Sequence, residues 1–305
     1  MDYATAVEVF FEPAPDGAAE SAPVETASPA RRLRDACEPL GTHGFWSRLV
    51  NERLAARGLN FLTGYVWGRA APMGEPVAPL VASAFAAFEP GLISSLYDEA
   101  RRVLPRSDLL ALLDATTAES LRGILGGQAA EAEVADVGGR LRRAVEAADG
   151  TGRPLFSGVR ALGWPADPFG QLWRACTALR EHRGDSHVAT YVAAGFDPVE
   201  MNILTELWVG WPLGAYSATR AWPAERTDAA LASLRRAGLL DGEVLAEAGR
   251  RARQDVEDRT DALEQPVVDA IGPDLDRVLE RLNAWGAACI AAGAFPPNPL
   301  KRAAG

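Results

Sequence analysis

Apolar residues recur at helical spacing along most of the chain after residue 30. In residues 46–58, for example, Leu49, Val50 and Leu54 would share one face of a helix that ends at Gly58. Few segments alternate apolar and polar residues with the period of two that is typical of a β-strand. The pattern therefore predicts a mainly α protein with a low content of sheet.

Prolines and glycines mark where these helical segments begin and end. The pattern predicts helices over residues 30–39, 46–58, 60–70, 77–88, 91–104, 107–123, 131–148 and 168–182. The last of them is expected to close at Arg183-Gly184-Asp185, which has the composition of a turn.

A different order of elements is predicted over residues 197–265. Asp197 and Pro198 are typical of a helix N-cap and first helical position, and helices follow over 199–208, 213–221 and 223–238. Asp241-Gly242 predicts a tight β-hairpin, after which a long helix runs from residue 246 to 261. This is the layout of a winged helix-turn-helix, whose third helix would lie in the major groove of double-stranded DNA.

Two resemblances follow from motifs in the chain. The C-terminal part resembles the MarR-type winged-helix regulators, through Leu234-Arg235-Arg236-Ala237-Gly238-Leu239-Leu240, Leu245, Gly249-Arg250, Glu257 and Thr260-Asp261. From residue 31 onward the chain also resembles a poorly characterised actinobacterial family of helix-turn-helix-related proteins, through residues 68–74 and 182–189. The resemblance implies a transcriptional regulator that binds DNA and forms a homodimer through helices flanking the winged module.

The third helix of the module supplies the candidate DNA contacts, which are Arg226, Thr227, Ser233, Arg235 and Arg236. The local charge opposes this interpretation, because residues 197–261 contain 12 acidic and eight basic residues and the hairpin tip at 241–243 is acidic. The alternative is a winged helix that serves only as a packing or dimerisation scaffold.

Composition and charge divide the chain further. Residues 1–29 hold six acids and no Lys or Arg, and predict a disordered acidic leader that accounts for more than half of the net charge of -10. We expect a helical N-terminal domain over 30–150, a connecting helical segment over 151–196, the winged helix-turn-helix over 197–265, and a C-terminal packing or dimerisation helix and tail over 266–305. The candidate pairing helix spans residues 274–292 and carries Leu275, Val278, Leu279, Leu282 and Trp285.

Several classes of protein are disfavoured. No apolar run reaches the roughly 18 residues of a membrane span, and the N-terminus lacks the features of a signal peptide. Cys37, Cys176 and Cys289 lie far apart, as expected for buried reduced thiols in a cytoplasmic protein. Because nucleotide-binding, serine-hydrolase and zinc-protease motifs are absent, no cofactor is expected.

The chain has three histidines, His43, His182 and His187. Their spacing does not place His182 and His187 on one helical face, but a turn between them could bring them together with His43 and Asp185. Three imidazoles and a carboxylate would suit zinc or iron(II). The alternative, which we prefer, has Asp185 or Ser186 capping the next helix and the histidines bonded to backbone, with no metal.

Arg69 and the aromatic residues suggest a ligand site. Arg69 follows the aromatic run that ends at Trp67, and its guanidinium could bind a carboxylate or phosphate, or could fasten a turn by donating to carbonyls. A group of tryptophans near the predicted domain junction could form a pocket or simply fill the core. The candidate residues for a small apolar or aromatic ligand are Tyr65, Arg69, Trp208, Trp211, Tyr216 and Trp222.

These observations predict a winged-helix regulator that senses a small ligand. The first alternative is an enzyme or a small-molecule-binding protein on the same scaffold, with an interdomain site around His43, Arg69, His182, Asp185 and His187. The second is a purely structural partner protein.

Overall fold

The computed structural model describes residues 1–12, 28–126 and 131–304. It confirms a mainly α protein, and the described residues form a single sheet of two strands. The helices are α1 (Tyr3–Phe10), α2 (Pro29–Gly41), α3 (His43–Trp46), α4 (Arg48–Ala55), α5 (Phe61–Ala70), α6 (Ala78–Phe85), α7 (Pro90–Val103), α8 (Arg106–Leu125), α9 (Glu131–Ala147), α10 (Pro154–Ala161), α11 (Pro168–Ala193), α12 (Pro198–Trp208), α13 (Ala224–Arg236), α14 (Glu247–Ile271), α15 (Leu275–Ala291) and α16 (Pro299–Ala304). The strands are β1 (Leu240–Asp241) and β2 (Val244–Leu245).

Side-chain caps start several of these helices where the sequence places a short polar residue before proline or an apolar run. Asp167 accepts hydrogen bonds from the first amides of α11, and Asn60 does the same for α5. At α12, Asp197 and Glu200 form a reciprocal capping box. Each cap satisfies amides that have no partner within the helix.

The central element is α11, which contacts α2, α8, α9, α10 and α14. The predicted turn at residues 183–185 is wrong, because α11 continues without a break from Pro168 to Ala193. A glycine inside a helix costs only about 1 kcal/mol relative to alanine, and packing on five neighbouring helices outweighs that cost at Gly184. Arg183, Asp185 and His187 therefore project from one rigid helix.

Buried apolar residues form two clusters. The first cluster contains residues of helices α2 to α11, of the last half of α14 and of α15. We call these elements the helical body. The second includes Tyr191, residues of α12, α13 and the hairpin, and Val256 of α14, and we call residues 197–261 the hairpin unit. Both α11 and α14 contribute to both clusters, so two long helices join the helical body to the hairpin unit.

The hairpin unit has the predicted element order with one difference. Helix α13 lies beside the hairpin, whose strands pair Leu240 with Leu245 around Gly242. Only a 3₁₀ turn, Ser217–Arg220, forms where a helix over 213–221 was predicted. The reason is the buried carboxylate of Glu206, which accepts hydrogen bonds from the amides of Gly214, Tyr216 and Ser217 and so holds this segment as a loop.

The face of α15 that was predicted to pair two copies of the chain is already covered. Val278, Leu279, Leu282 and Trp285 are buried in the first cluster, where α15 packs on α2. Gly286 lies against Pro39 of α2. The apolar surface of this helix is therefore buried within the chain, as in the packing alternative, and a homodimer remains a prediction.

The first residues are ordered, which corrects the prediction of a disordered leader for this stretch. Helix α1 docks through aromatic residues: the Tyr3 hydroxyl donates to the Trp46 carbonyl over 2.7 Å, and the ring centroid of Phe10 lies 5.7 Å from that of Trp46. The rest of the predicted leader, residues 13–27, lies outside the described residues. None of the helices described is both long and apolar enough to cross a membrane.

Candidate functional site

A chamber of about 160 Å³ lies between the helical body and the hairpin unit. Helices α2, α5 and α11 form one side, and α12, the loop after it and α14 form the other. Among the residues that the structure describes, no carboxylate lines the chamber. Seven arginines do: Arg31, Arg34, Arg69, Arg180, Arg183, Arg220 and Arg253.

Carboxylates behind the wall hold the arginines of the helical body. Arg69 forms a two-pronged pair with Glu181, with both nitrogen–oxygen distances at 2.8 Å. Arg180 binds Glu181 and Glu38 over 3.0 Å each. These pairs fix the guanidiniums in place, since a buried charge is tolerated only when it is paired and hydrogen-bonded.

At helix α14, three guanidiniums from both sides of the chamber converge on one carboxylate. Arg31 and Arg253 each donate to Glu257 over 2.8 Å, and Arg183 binds Glu257 as well as Asp261. Burial by itself raises the pKa of a carboxyl, but the positive charges of the three arginines hold the pKa of Glu257 well below its usual range. Glu257 is therefore ionised and is shared by three cations.

The charges around the chamber do not balance. Six of the seven arginines pair with five carboxylates, those of Asp35, Glu38, Glu181, Glu257 and Asp261, and Arg220 pairs with none, which leaves an excess of two positive charges. Burial, together with neighbouring arginines, lowers the pKa of Arg34 and of Arg253. The chamber is thus a buried and strongly positive site.

An aromatic compartment of about 130 Å³ adjoins the chamber. Both spaces share part of their lining, which consists of Tyr65, Phe88, Arg180, Tyr216 and Arg220. The remaining wall of the compartment is rich in aromatic side chains, namely Phe10, Phe45, Trp46, Phe61 and Phe295. The two spaces together offer a cationic end and an aromatic end.

Arg220 stands where the two spaces meet. Its guanidinium carbon lies 3.9 Å from the ring centroid of Tyr216 and 4.6 Å from that of Phe88. Within the described residues it forms no ion pair, unlike the other six arginines of the chamber. Lys301 also lines the aromatic compartment, lies 4.8 Å from the centroid of Phe10, and has a pKa that burial lowers to about 8.

The structure separates the predicted ligand residues into two groups. Tyr65, Arg69 and Tyr216 line the chamber, so that a ligand there would touch them. The three tryptophans lie behind it: Trp208 packs under Arg253, Trp211 stacks on Tyr216, and Trp222 donates to the Ala87 carbonyl. A role in binding remains a prediction for the first group, and the tryptophans support the wall.

The three histidines do not converge. His43 lies 2.9 Å from Ser120 and burial lowers its pKa to about 3, His182 binds Glu264 over 2.7 Å, and His187 lies 3.3 Å from Thr260. Within residues 1–12, 28–126 and 131–304, no group of His, Cys, Asp and Glu could hold a metal ion. The turn that could have brought them together does not form, because α11 is continuous and nothing folds His187 back on His182.

The candidate catalytic set is also dispersed. Arg69 and His187 line the chamber, whereas His43, His182 and Asp185 do not. The expectation that Asp185 caps a following helix is wrong as well: its carboxylate accepts from the Phe156 amide over 3.0 Å in the first turn of α10. Burial raises the pKa of Asp185 to about 7.

The candidate DNA contacts lie on the exposed side of α13. Arg226 pairs with Asp197 over 3.2 Å, and Arg235 donates to the Gly242 carbonyl of the hairpin over 3.1 Å. Arg236 is exposed and has no hydrogen bond or ion pair among the described residues. Thr227 and Ser233 are half-buried.

Of the seven arginines that line the chamber, only Arg69 was predicted from the sequence as a site residue. The available signal was spacing: Arg31 and Arg34 on α2, and Arg180 and Arg183 on α11, lie three residues apart and so share a helix face. Repeated arginine pairs on faces that must also pack are unusual, because arginine is rarely buried without a partner.

A family model described as a helix-turn-helix family matches residues 30–296. Neither the curated proteins nor the solved structures contain a match to the chain. The match supports the predicted relation to helix-turn-helix proteins, whereas the likeness to the MarR type remains a prediction. Because the family model covers most of the chain, the protein belongs to this helix-turn-helix family.

Proposed function

We propose that this protein is a transcriptional regulator of the winged-helix type that senses a small molecule in the chamber between its two parts. The proposal rests on the observation that both parts of the protein supply residues to the chamber wall. Arg69 and Arg180 come from the helical body, whereas Asn202, Tyr216 and Arg220 come from the hairpin unit. A ligand that contacts both parts would favour one relative position of them, which is how ligand binding is coupled to a second site.

The DNA interface in this proposal is α13. Its place beside a hairpin, after α12 and before the long helix α14, supports this role, because the recognition helix of a helix-turn-helix follows the first helix of the motif. Arg226, Thr227, Ser233, Arg235 and Arg236 would face the duplex. A cytoplasmic location and a homodimer complete the proposal, with an interface other than the buried face of α15.

A mobility-shift titration with the DNA upstream of the protein's own gene tests the DNA part. We expect a shift at low salt, and Arg236→Ala should lower the slope of log affinity against log salt by about one. Arg102→Ala, at an exposed arginine of α7, is the matched control and should leave the slope unchanged. Failure of the parent protein to shift this DNA at low salt would contradict the regulator assignment.

A second candidate function is favoured by the charges around α13. Three exposed arginines stand among four exposed acids, Glu225, Asp228, Asp241 and Glu243, and two of the arginines are already engaged within the chain. This balance favours a small-molecule-binding protein that uses the winged fold as a scaffold and does not bind DNA. Ligand binding without a DNA shift is the outcome that separates it from the first proposal.

A further inference from the structure

We infer that the chamber binds an aromatic oxyanion: a carboxylate or phosphate, held by Arg183 and Arg220, that carries a single ring. This deepens the ligand part of the proposed function and is independent of whether α13 binds DNA. Three features of the chamber support it: its charge, its unpartnered donors and the compartment beside it.

The first feature is the excess of positive charge over the paired carboxylates. Opposite charges attract more strongly in a buried site because the surroundings screen them weakly. The electrostatic attraction between an anion and the arginines is therefore stronger in the chamber than on the surface. No carboxylate of the described chain lines this space to compete with it. An anionic ligand is therefore favoured over a neutral or cationic one.

The second feature is a pair of buried donors that lack an acceptor. The Nε–H groups of Arg183 and Arg220 have no hydrogen-bond partner in the described chain. Arg183 is only 7% exposed. Its Nη2 atom binds Glu257 and Asp261, whereas its Nε atom has no partner in the described chain. Leaving a buried donor unpaired costs about 1–3 kcal/mol, so an acceptor bound at these donors would offset that cost.

The chemistry of the donors selects the ligand group. A guanidinium presents parallel N–H groups that match two oxygens of a carboxylate or phosphate, and such charge-assisted bonds are stronger than neutral ones. The guanidinium of Arg220 also lies against the rings of Tyr216 and Phe88, which help to position it. These two arginines are the groups that would hold the oxyanion.

The third feature is the aromatic compartment, which begins at Arg220. A cavity of about 150 Å³ accommodates a benzene molecule, and each of the two spaces here is of that order. An oxyanion at Arg183 and Arg220 would place its substituent beside Phe88 and Tyr65, where aromatic walls favour a ring. The space suits one ring.

Calorimetric titration of the full chain with small probes tests the inference. Phenyl phosphate and phenylacetate should bind with one site per chain. Benzyl alcohol and benzylamine, which lack the anion, should bind at least about tenfold more weakly, and so should inorganic phosphate, which lacks the ring. Similar affinities for phenyl phosphate and benzyl alcohol, or no binding of either aryl anion, would overturn it.

Arg220→Met supplies the specific variant, because Arg220 forms no ion pair in the described chain and its loss leaves the other pairs intact. We expect phenyl phosphate to bind about ten- to a hundredfold more weakly, with a partial loss in Arg220→Lys, which keeps the charge but not the planar fork. Arg102→Met is the exposed control and should bind like the parent. Unchanged affinity in a folded Arg220→Met protein, verified by its melting temperature, would contradict the assignment.

The outcomes also separate this inference from the proposed function. Binding of aryl anions without a DNA shift would support the ligand site and remove the regulator. A DNA shift without binding of aryl anions would leave the regulator and remove the ligand assigned here.

Discussion

Replacing Glu257 with glutamine removes the carboxylate on which Arg31, Arg183 and Arg253 converge. Arg31 and Arg253 each lie 2.8 Å from it, and the side chains of these pairs are no more than 4% exposed. Removing one partner of a buried ion pair destabilises a protein by about 3–5 kcal/mol, because the opposite charge stays buried without compensation. We expect a loss of this size, and a melting temperature lower by roughly 5–8 °C for a chain of this length.

The dependence of the unfolding free energy on pH in the acid range tests the same prediction a second time. The pKa of Glu257 is lower in the folded state than its usual value of 4.5. Its contribution to the free energy of unfolding is therefore complete above about pH 4.5 and is lost as the pH falls toward the lower, folded-state pKa. Urea unfolding at several pH values should show a weaker dependence below pH 4.5 in Glu257→Gln than in the parent.

Glu247→Gln, at the start of the same helix, is the matched control. Its ion pair with Arg251 is 3.4 Å long and highly exposed, so its loss should change stability by less than about 1 kcal/mol. Equal unfolding free energies for the Glu257 and Glu247 variants would refute the reasoning that the three arginines depend on a shared buried carboxylate.

The remaining predictions concern the buried histidine and the central helix. Burial lowers the pKa of His43 to about 3, so the folded protein keeps this side chain neutral and its stability falls as the pH drops below the usual pKa of 6.5. His43→Gln should remove this effect, which amounts to about 2 kcal/mol of unfolding free energy between pH 7 and pH 5. Urea unfolding at both pH values measures it. An equal pH dependence in the variant would contradict this. Gly184→Ala should raise the unfolding free energy by about 0.5–1 kcal/mol, because alanine favours a helix interior and the added Cβ would meet only Glu181 at 3.8 Å. A loss of stability in thermal unfolding would instead favour a turn at this position.

Elements with strong local signals could be predicted from the sequence. The α class, most helix positions and the Asp241-Gly242 hairpin follow from periodicity, caps and turn chemistry that act within a few residues. The helix at 168–193 could not be bounded in this way. Its glycine at position 184 has the local signature of a turn, and only the five helices packed around it keep it helical.

The candidate site could be predicted only in part, since it depends on distant residues that meet in three dimensions. Tyr65, Arg69 and Tyr216 were selected from aromatic and charged residues near the expected junction, and all three line the chamber. Two arginines meet Glu257 from different distances along the sequence: Arg31 lies more than 200 positions before it, and Arg253 lies four positions before it. No local pattern encodes the first of these contacts, and the second is typical of any charged helix surface.

The same reason explains the errors at the two ends of the chain. The apolar face of α15 has the pattern of a pairing helix, but its partner is α2 of the same chain. Residues 3–10 carry few local signals of structure and become ordered by contacts with Trp46 and Phe61. In α15 the periodicity identified an apolar surface without identifying what covers it, and in residues 3–10 the docking contacts come from distant parts of the chain.

A crystal structure of the full chain with phenyl phosphate tests the account most directly. We predict that the phosphate oxygens lie about 2.7–2.9 Å from Nε of Arg183 and of Arg220, with the phenyl ring beside Phe88. A chamber that remains empty at saturating ligand, or a phosphate bound on the outer surface with both Nε atoms still unpaired, would contradict it.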